Sequence, residues 1–232
     1  MSAIECRHLR RDYTRGDAII HTLQDVELNV DAGDFVALMG PSGSGKTTLL
    51  NLLAGIDSPT AGTIRIGGTD IASLGRGALA AWRSTHVGYI FQLYNLVPVL
   101  TAYENVELPL LLHSITAPER HRRVAEALET VGLSDRHGHY PRQLSGGQEQ
   151  RVAIARALVT QPTLILADEP TGDLDKASAQ QVMDLLVGLN RDRGQTIVMV
   201  THDLATAGRA RRTVHLEKGV IVDVPMHAEA RA

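Results

Sequence analysis

The chain has 232 residues, of which 44% are hydrophobic and 21% are charged, and its formal net charge at pH 7 is -3. This balance is typical of a compact globular protein and excludes fibrous and intrinsically disordered classes. The weak negative charge provides no general attraction to nucleic acid or to an anionic lipid surface, so no nucleic-acid partner is expected.

Cys6 is the only cysteine, so an intrachain disulfide is excluded and a reducing compartment is favoured. The first residues contain no apolar core of signal-peptide length. No stretch approaches the ~18 consecutive apolar residues that a membrane-spanning helix needs. We therefore expect a cytoplasmic protein.

Short β-branched runs alternate with helical patterns along the chain, which predicts an α/β fold. Strands are predicted at 4–9, 23–30, 35–39, 63–66, 87–91, 164–167, 196–200 and 213–217. The last three have the continuous apolar composition of buried parallel strands. Helical stretches such as 178–190 would supply the right-handed crossovers between them.

Between residues 93 and 161 the pattern changes to helical periodicity without a convincing strand, which predicts an inserted helical lobe. Within it, Thr116 and Glu119 have the spacing of a capping box, with Pro118 early in the helix and Gly132 at its end. We expect residues 1–92 and 162–232 to form the core around this lobe, within a single domain over 1–232.

A glycine-rich loop lies between the predicted strand 35–39 and a helix that ends at Gly55. It consists of Gly40, Pro41, Ser42, Gly43, Ser44, Gly45, Lys46 and Thr47, and Thr48 continues into the helix. In such a loop, backbone N–H groups at a helix start surround phosphates, Lys46 meets the β- and γ-phosphates, and Thr47 offers a hydroxyl to Mg²⁺. The loop therefore predicts binding of ATP with Mg²⁺.

Two carboxylates, Asp168 and Glu169, follow the predicted strand 164–167. At the carboxyl edge of a parallel sheet, Asp168 can hold Mg²⁺ through water, and Glu169 can polarise the attacking water. Paired acids after a strand can also simply cap a turn, which the following Pro170 and Gly172 would suit. The phosphate loop favours the catalytic interpretation. His202, directly after strand 196–200, adds an imidazole at the same edge.

The segment Leu144-Ser145-Gly146-Gly147-Gln148 opens another helix, which continues to about Leu158. Ser145 and Gln148 have the spacing of a capping box, and the two glycines leave backbone N–H groups free at the helix start. The pattern predicts a well-capped helix and a second anion site, one that has no basic side chain of its own.

Together with the phosphate loop and the segment 165–175, this helix start resembles the nucleotide-binding subunits of ABC transporters, over essentially the whole chain. The resemblance implies a P-loop NTPase core with a parallel sheet, an antiparallel β subdomain and an inserted helical subdomain. It also implies that two subunits, most simply identical, pack head to tail. Ser145, Gly146, Gly147 and Gln148 would then act on the ATP held by the partner subunit's Lys46.

The same resemblance assigns roles to further residues. Tyr13 would stack on adenine, although an ordinary edge-strand tyrosine is the alternative. Gln92 would sense Mg²⁺ and the γ-phosphate and hinge the helical lobe. Asp175 would communicate across the dimer, and His202 would contact the γ-phosphate as a switch.

The run from Phe91 to Leu112 resembles the lipoprotein-release and macrolide-export branch, with cell-division ABC ATPases as near neighbours. In that branch the run lines a groove for a membrane permease, although about half of its apolar residues are expected in the core. We expect the permease on a separate chain, with this protein peripheral at the inner face of the membrane. The alternatives are a division-type regulatory scaffold and, less favoured without coiled coils, zinc modules or tandem units, a DNA or ribosome ATPase.

Overall fold

The described residues, 2–222, form two β-sheets in this computed structural model. The strands, numbered in chain order, are β1 Ser2–Arg15, β2 Ala18–Asp31, β3 Phe35–Met39, β4 Ala61–Ile66, β5 Thr69–Asp70, β6 Val87–Ile90, β7 Leu164–Asp168, β8 Thr196–Val200, β9 Arg212–Glu217 and β10 Val220–Val222. One sheet has the order β10-β9-β3-β8-β7-β6 and is parallel except for β10, and the other is antiparallel with the order β2-β1-β4-β5. The fold class expected from the sequence is therefore confirmed.

All the predicted strands are present, but the first two are much longer than expected. The β1–β2 hairpin continues through residues 10–15 and 18–22, none of which is buried. Apolar alternation cannot reveal such a segment, because backbone pairing alone maintains it. The edge strands β5 and β10 were not predicted. They consist of only two and three residues.

The helices are α1 Lys46–Leu53, α2 Arg76–His86, α3 Ala102–Glu107, α4 Ala117–Thr130, α5 Gly146–Leu158, α6 Lys176–Arg193 and α7 Leu204–Ala207, with short 3₁₀ turns between some of them. Between residues 93 and 161 the described chain has helices and no strand, as the periodicity predicts. The single domain over 1–232, with residues 93–161 as an inserted lobe, stays a prediction. Across residues 2–222, no helix combines the length and the apolar composition needed to cross a bilayer.

The capping box predicted at Thr116 is only half correct. The Thr116 hydroxyl accepts the Glu119 N–H at 3.4 Å, but the Glu119 carboxylate turns away to Arg122 and Arg123. Those two guanidinium groups lower the pKa of Glu119 to about 2. The Glu119 carboxylate thus forms two ion pairs one turn further along the helix instead of accepting the Thr116 backbone N–H.

Both faces of the parallel sheet are covered, and successive residues of its strands serve different cores. Phe35 and Ile197 belong to the cluster that contains the α4, α5 and α6 side chains. Val36 and Val198 belong to the cluster formed with α1 and the antiparallel sheet. Two-sided burial explains the continuous apolar runs in the sequence. The same burial fixes the carboxyl ends of the strands along one edge of the sheet. The polar residues that follow these strands are therefore held close to one another.

Candidate nucleotide-binding site

The phosphate loop connects β3 to α1, and its three glycines meet different constraints. A Cβ on Gly40 would collide with the Leu216 carbonyl, and one on Gly45 would lie 2.8 Å from the Thr22 carbonyl and from Leu23. Gly43 has open space around it but a φ of +77°, which favours glycine. The loop thus packs closely against β2 of the antiparallel sheet and against β9 at Gly40 and Gly45. At Gly43 no neighbouring atom approaches, and glycine is favoured there by the backbone conformation alone.

The Lys46 side chain lies inside the loop. Its ammonium group donates hydrogen bonds to the carbonyls of Gly40, at 2.8 Å, and Pro41, at 2.9 Å. An ammonium group has three N–H donors, so one remains for a ligand. Lys46 is only 8% exposed and has neutral partners here, so its buried charge favours an anion beside it. The buried Ser44 hydroxyl also has no hydrogen-bond partner within residues 2–222.

A cavity of about 430 Å³ opens at the start of α1, where no side chain caps the helix. Free N–H groups at a helix start favour a negatively charged ligand. The cavity is lined by Thr22, Gly40, Ser42, Gly43, Gly45, Lys46, Thr47, Thr48, Glu169, Val200 and His202. The structure thus gathers most of the predicted loop residues with Glu169 and His202. Thr22 and Val200 were not predicted, and Thr22 carries no local signal because only the hairpin packing brings it here.

Asp168 lies at the end of β7, close to the first turn of α1. The Thr47 hydroxyl donates to its carboxylate at 3.4 Å. Burial raises the pKa of Asp168, and the neighbouring Glu169 raises it further. Carboxylate and hydroxyl oxygens are ligands suited to Mg²⁺, and a divalent cation would offset the cost of the buried charge. This pair of residues fits the predicted metal.

Glu169 has a left-handed backbone conformation, with a φ of +46°, which is uncommon outside glycine. Its N–H donates to the Val200 carbonyl at 3.0 Å, and its own carbonyl accepts the Gly172 N–H at 3.0 Å. Its carboxylate lies 3.0 Å from the Nδ1 atom of His202. The two residues predicted to share one sheet edge are therefore in direct contact.

Gln92 lies outside this cavity. It follows β6 and packs against Gly172, where an added Cβ would be 3.0 Å from the Gln92 amide nitrogen. It is thus a neighbour of the turn after Glu169. Its role as a metal sensor stays a prediction.

Tyr13 also lies outside the cavity lining, on the β1–β2 hairpin. Its hydroxyl donates to Asp57 at 2.6 Å, and the Arg11 guanidinium lies over the ring, 4.4 Å from its centroid. One ring face is therefore covered by a cation. Stacking on adenine stays a prediction for the other face.

The predicted capping box at the start of α5 is confirmed. The Ser145 hydroxyl accepts the Gln148 N–H at 3.3 Å, and the Gln148 side chain accepts the Ser145 N–H at 2.9 Å. Gly147 packs against Ser178, whose hydroxyl donates to Asp175 at 2.6 Å. Asp175 caps α6, and these hydrogen bonds lower its pKa.

None of the residues at the start of α5 lines the cavity of its own chain, and neither does Asp175. Gly146 lies beside the Tyr94 hydroxyl instead. The helix start predicted to be a second anion site thus lies outside the lining of this cavity, and its role stays a prediction.

A separate group of metal-ligand side chains, His8, Asp25 and Glu27, lies exposed on the antiparallel sheet. Here the carboxylates are already partnered, since Asp25 contacts the His8 ring at 2.8 Å and Glu27 accepts from Arg7 at 3.0 Å. Nothing in this group lines the nucleotide cavity.

Comparison with known proteins places these features in a family. The ABC transporter family profile matches residues 23–172. The macrolide export ATP-binding/permease protein MacB of Rhodopseudomonas palustris (strain HaA2) is 49% identical over 221 residues, which cover 95% of this chain and 34% of that protein. The chain thus spans about a third of the length of the MacB relatives. The uncharacterized ABC transporter ATP-binding protein YvrO of Bacillus subtilis is 48% identical, with 93% of each chain covered.

Solved structures agree with this assignment. The dimeric ATP-binding cassette MJ0796, bound to ADP and Pi after hydrolysis, superposes with a TM-score of 0.86 at 42% identity, covering 94% of this chain and 96% of that one. CbiO1 of Clostridium perfringens, part of the ABC transporter complex cbiONQ, has a TM-score of 0.86 at 28% identity, with 95% and 87% covered. The phosphate loop, the acids after β7 and the start of α5 all lie within the matched region. The chain belongs to the ABC transporter family of ATP-binding cassettes.

Proposed function

We propose that this chain is an ATP-binding and ATP-hydrolysing component of an ABC transporter, which dimerises around Mg²⁺ and ATP to drive a membrane permease. The observation that carries the proposal is the cavity at the start of α1. It combines a buried lysine with a free N–H donor and a carboxylate–imidazole pair, Glu169 and His202. Phosphoryl transfer requires this combination of anion binding and a residue that orients water.

The roles of the side chains follow from their positions. Lys46 donates its remaining N–H to phosphate oxygens, and the loop amides from Gly40 to Gly45 surround the phosphates. Thr47 and Asp168 offer oxygen atoms to Mg²⁺, which when bound neutralises charge on the β- and γ-phosphates. Glu169 accepts a hydrogen bond from the attacking water and orients it. His202, which lines the same cavity, would contact a γ-phosphate oxygen.

The second subunit completes the site in this proposal. Ser145, Gly146, Gly147 and Gln148 would add N–H and hydroxyl donors to the γ-phosphate of ATP bound to the partner subunit's Lys46. Support comes from their position outside the cavity of their own chain and from the dimeric cassette of 42% identity. Tyr13, Gln92 and Asp175 would act at adenine, at the metal and across the dimer, respectively.

A surface on the helical lobe supports the permease partner. Leu93, Val99 and Leu112 are 69%, 76% and 77% exposed, whereas Val106 and Leu110 are fully buried. Of these, Leu112 lines a groove of about 250 Å³, together with Ile56, Arg83, Phe91 and Pro109 among others. Exposed apolar side chains around a groove are typical of a protein interface. Docking there would hold the chain at the cytoplasmic face of the membrane as a peripheral subunit.

We further propose an envelope substrate, such as a macrolide or a lipoprotein, because the MacB relatives share the greater part of this chain at 47–50% identity. The decisive experiment is co-purification with the permease encoded nearby, followed by reconstitution in vesicles. ATP hydrolysis that rises with a candidate substrate supports transport. Hydrolysis that responds to the permease but to no substrate would favour a regulatory, division-type role.

A further inference from the structure

Gln150, in α5, is a polar side chain that no assigned role explains. It is 0% exposed. Its amide nitrogen donates to the Pro170 carbonyl at 2.6 Å and to the Phe91 carbonyl at 3.3 Å. These acceptors come from two distant segments of the chain. Pro170 directly follows Glu169, and Phe91 directly precedes Gln92, so one amide group connects the backbone beside both residues.

The Pro170 contact matters because of the backbone at Glu169. A non-glycine residue with a φ of +46° keeps that conformation only where its surroundings fix it. The Val200 carbonyl and the Gly172 N–H hold Glu169 from the core side. Gln150, which lies in the helical lobe, donates a hydrogen bond to the carbonyl of the next residue, Pro170. The orientation of the Glu169 carboxylate therefore depends on a side chain in α5.

The other half of the Gln150 amide argues against a purely structural role. Its carbonyl oxygen is buried and has no hydrogen-bond partner in the described part of the chain. A buried acceptor without a donor destabilises the folded state. Methionine has a similar length and shape, and it would fill the same space without an unpaired polar atom. Methionine would lose the hydrogen bonds to the Pro170 and Phe91 carbonyls, so those two contacts, and not packing, distinguish glutamine at this position.

We propose that Gln150 is a positioning residue for ATP hydrolysis, which fixes the Glu169 turn and the end of β6 relative to the start of α5. The proposal rests on the ATPase function proposed above. Because Ser145 begins the helix that contains Gln150, any movement of this helix start reaches Glu169 through one side chain. Gln150 is not among the residues that line the nucleotide cavity, so it acts on turnover through Glu169 and leaves nucleotide binding to the loop at Lys46.

The test is Gln150→Met, measured by steady-state ATPase kinetics, nucleotide affinity and thermal unfolding. We expect kcat to fall about 10- to 100-fold, the range caused by small misplacements of reacting groups. KM for ATP and the nucleotide Kd should stay at the wild-type values. Tm should change little, because removal of the unpaired carbonyl offsets the loss of the two hydrogen bonds that the amide donates. Amide hydrogen exchange at Thr171 and Gly172 should become faster.

Asn190 offers a matched control. It is also a buried amide, 4% exposed, whose nitrogen donates to two carbonyls, those of Gly33 and Gln195, both at 2.8 Å. These acceptors lie at the opposite edge of the parallel sheet. Asn190→Leu should lower Tm, leave kcat of the folded protein unchanged, and leave exchange at Gly172 unchanged.

Wild-type kcat in the Gln150→Met variant would overturn the inference. The inference would also be overturned if both Gln150→Met and Gln150→Leu lost folding and their activity fell only in proportion to the folded fraction. The amide would then stabilise the fold without positioning Glu169. A wild-type chain that binds ATP but never hydrolyses it contradicts the proposed function itself. The wild-type assay therefore separates the two failures.

Discussion

The starts of α1 and α5 are two glycine-rich helix starts with opposite designs. The start of α1 has no side-chain cap, and Lys46 lies buried within the loop beside it. The start of α5 is capped by its own Ser145 and Gln148, and no basic side chain lies in that segment. Free N–H groups and a buried cation make the first a strong anion site, whereas the second already satisfies part of its donors.

The residues that surround the two helix starts also differ. Gly40 packs against Leu216 in β9, and Gly45 packs against Thr22 in β2. The loop at α1 is therefore enclosed by other elements of the same chain. At α5, Gly147 is backed by Ser178 while Ser145 stays exposed. The difference teaches that the α1 start is enclosed by its own chain and suited to an anion, whereas the α5 start is capped and has its exposed Ser145 at the surface. The predictions below test this division of labour.

The largest effect is expected from Glu169→Gln, which keeps the shape but removes the carboxylate that orients water. We expect kcat to fall by about 10²- to 10⁴-fold, as for the loss of a general base. ATP affinity should remain, and the dimer should accumulate with bound ATP, as seen by phosphate release and light scattering. Turnover near the wild-type rate would remove Glu169 from this role.

Lys46→Ala should abolish most nucleotide affinity. A hydrogen bond to a charged group contributes about 1.5–3 kcal/mol, so Kd should rise at least about 10-fold. Isothermal titration with ATP and Mg²⁺ measures this directly. Arg191→Ala is a control, because that exposed side chain pairs with its neighbour Asp192 and does not line the cavity. An unchanged Kd in Lys46→Ala would place the nucleotide elsewhere.

Mixing variants tests whether the two helix starts act on one nucleotide in different chains. A heterodimer of Lys46→Ala and Ser145→Ala chains contains one composite site without a substitution, so ATP hydrolysis should exceed the sum of the two variants alone. The control mixes Lys46→Ala with Glu169→Gln. Lys46 and Glu169 line one cavity, so both sites of that heterodimer stay defective. Equal results from the two mixtures would contradict the head-to-tail dimer.

Ser145→Ala should also destabilise α5 itself. Loss of an N-cap hydroxyl costs about 1 kcal/mol, so the midpoint of urea unfolding should decrease slightly without a change in slope. Ser145→Asp keeps a capping acceptor and should retain the stability. That variant would still lose turnover, because a carboxylate repels the γ-phosphate. A Ser145→Asp chain with normal turnover would exclude Ser145 from the composite site.

The smallest effect concerns pH and the metal-free chain. Burial and Glu169 raise the pKa of Asp168, so the folded state holds this proton more tightly than the unfolded state. The protonated carboxyl therefore contributes stability at low pH, and this stability is lost as the pH rises from the usual carboxyl range through the raised pKa of Asp168. Asp168→Asn should raise Tm at neutral pH without Mg²⁺ and give no gain at low pH. An equal gain at both pH values would contradict this cause.

Much of this site could be predicted because its residues follow directly on local patterns. The strand 35–39, the loop to Thr47 and the acids at 168 and 169 each occupy a short segment with its own hydrogen-bond and packing requirements. What could not be predicted comes from contacts between distant segments. Thr22 reaches the cavity only through the hairpin, and Gln92 faces Gly172 because β6 ends beside the Glu169 turn.

The sequence by itself determined the order of the eight longer strands, the α/β class, the phosphate loop and the capped start of α5, because periodicity and caps depend on residues within one or two turns. Only the tertiary structure decided the length of the β1–β2 hairpin, the left-handed backbone at Glu169 and the link from Gln150 to two carbonyls. These features depend on which distant backbones the packing brings together. No short stretch of sequence contains that information.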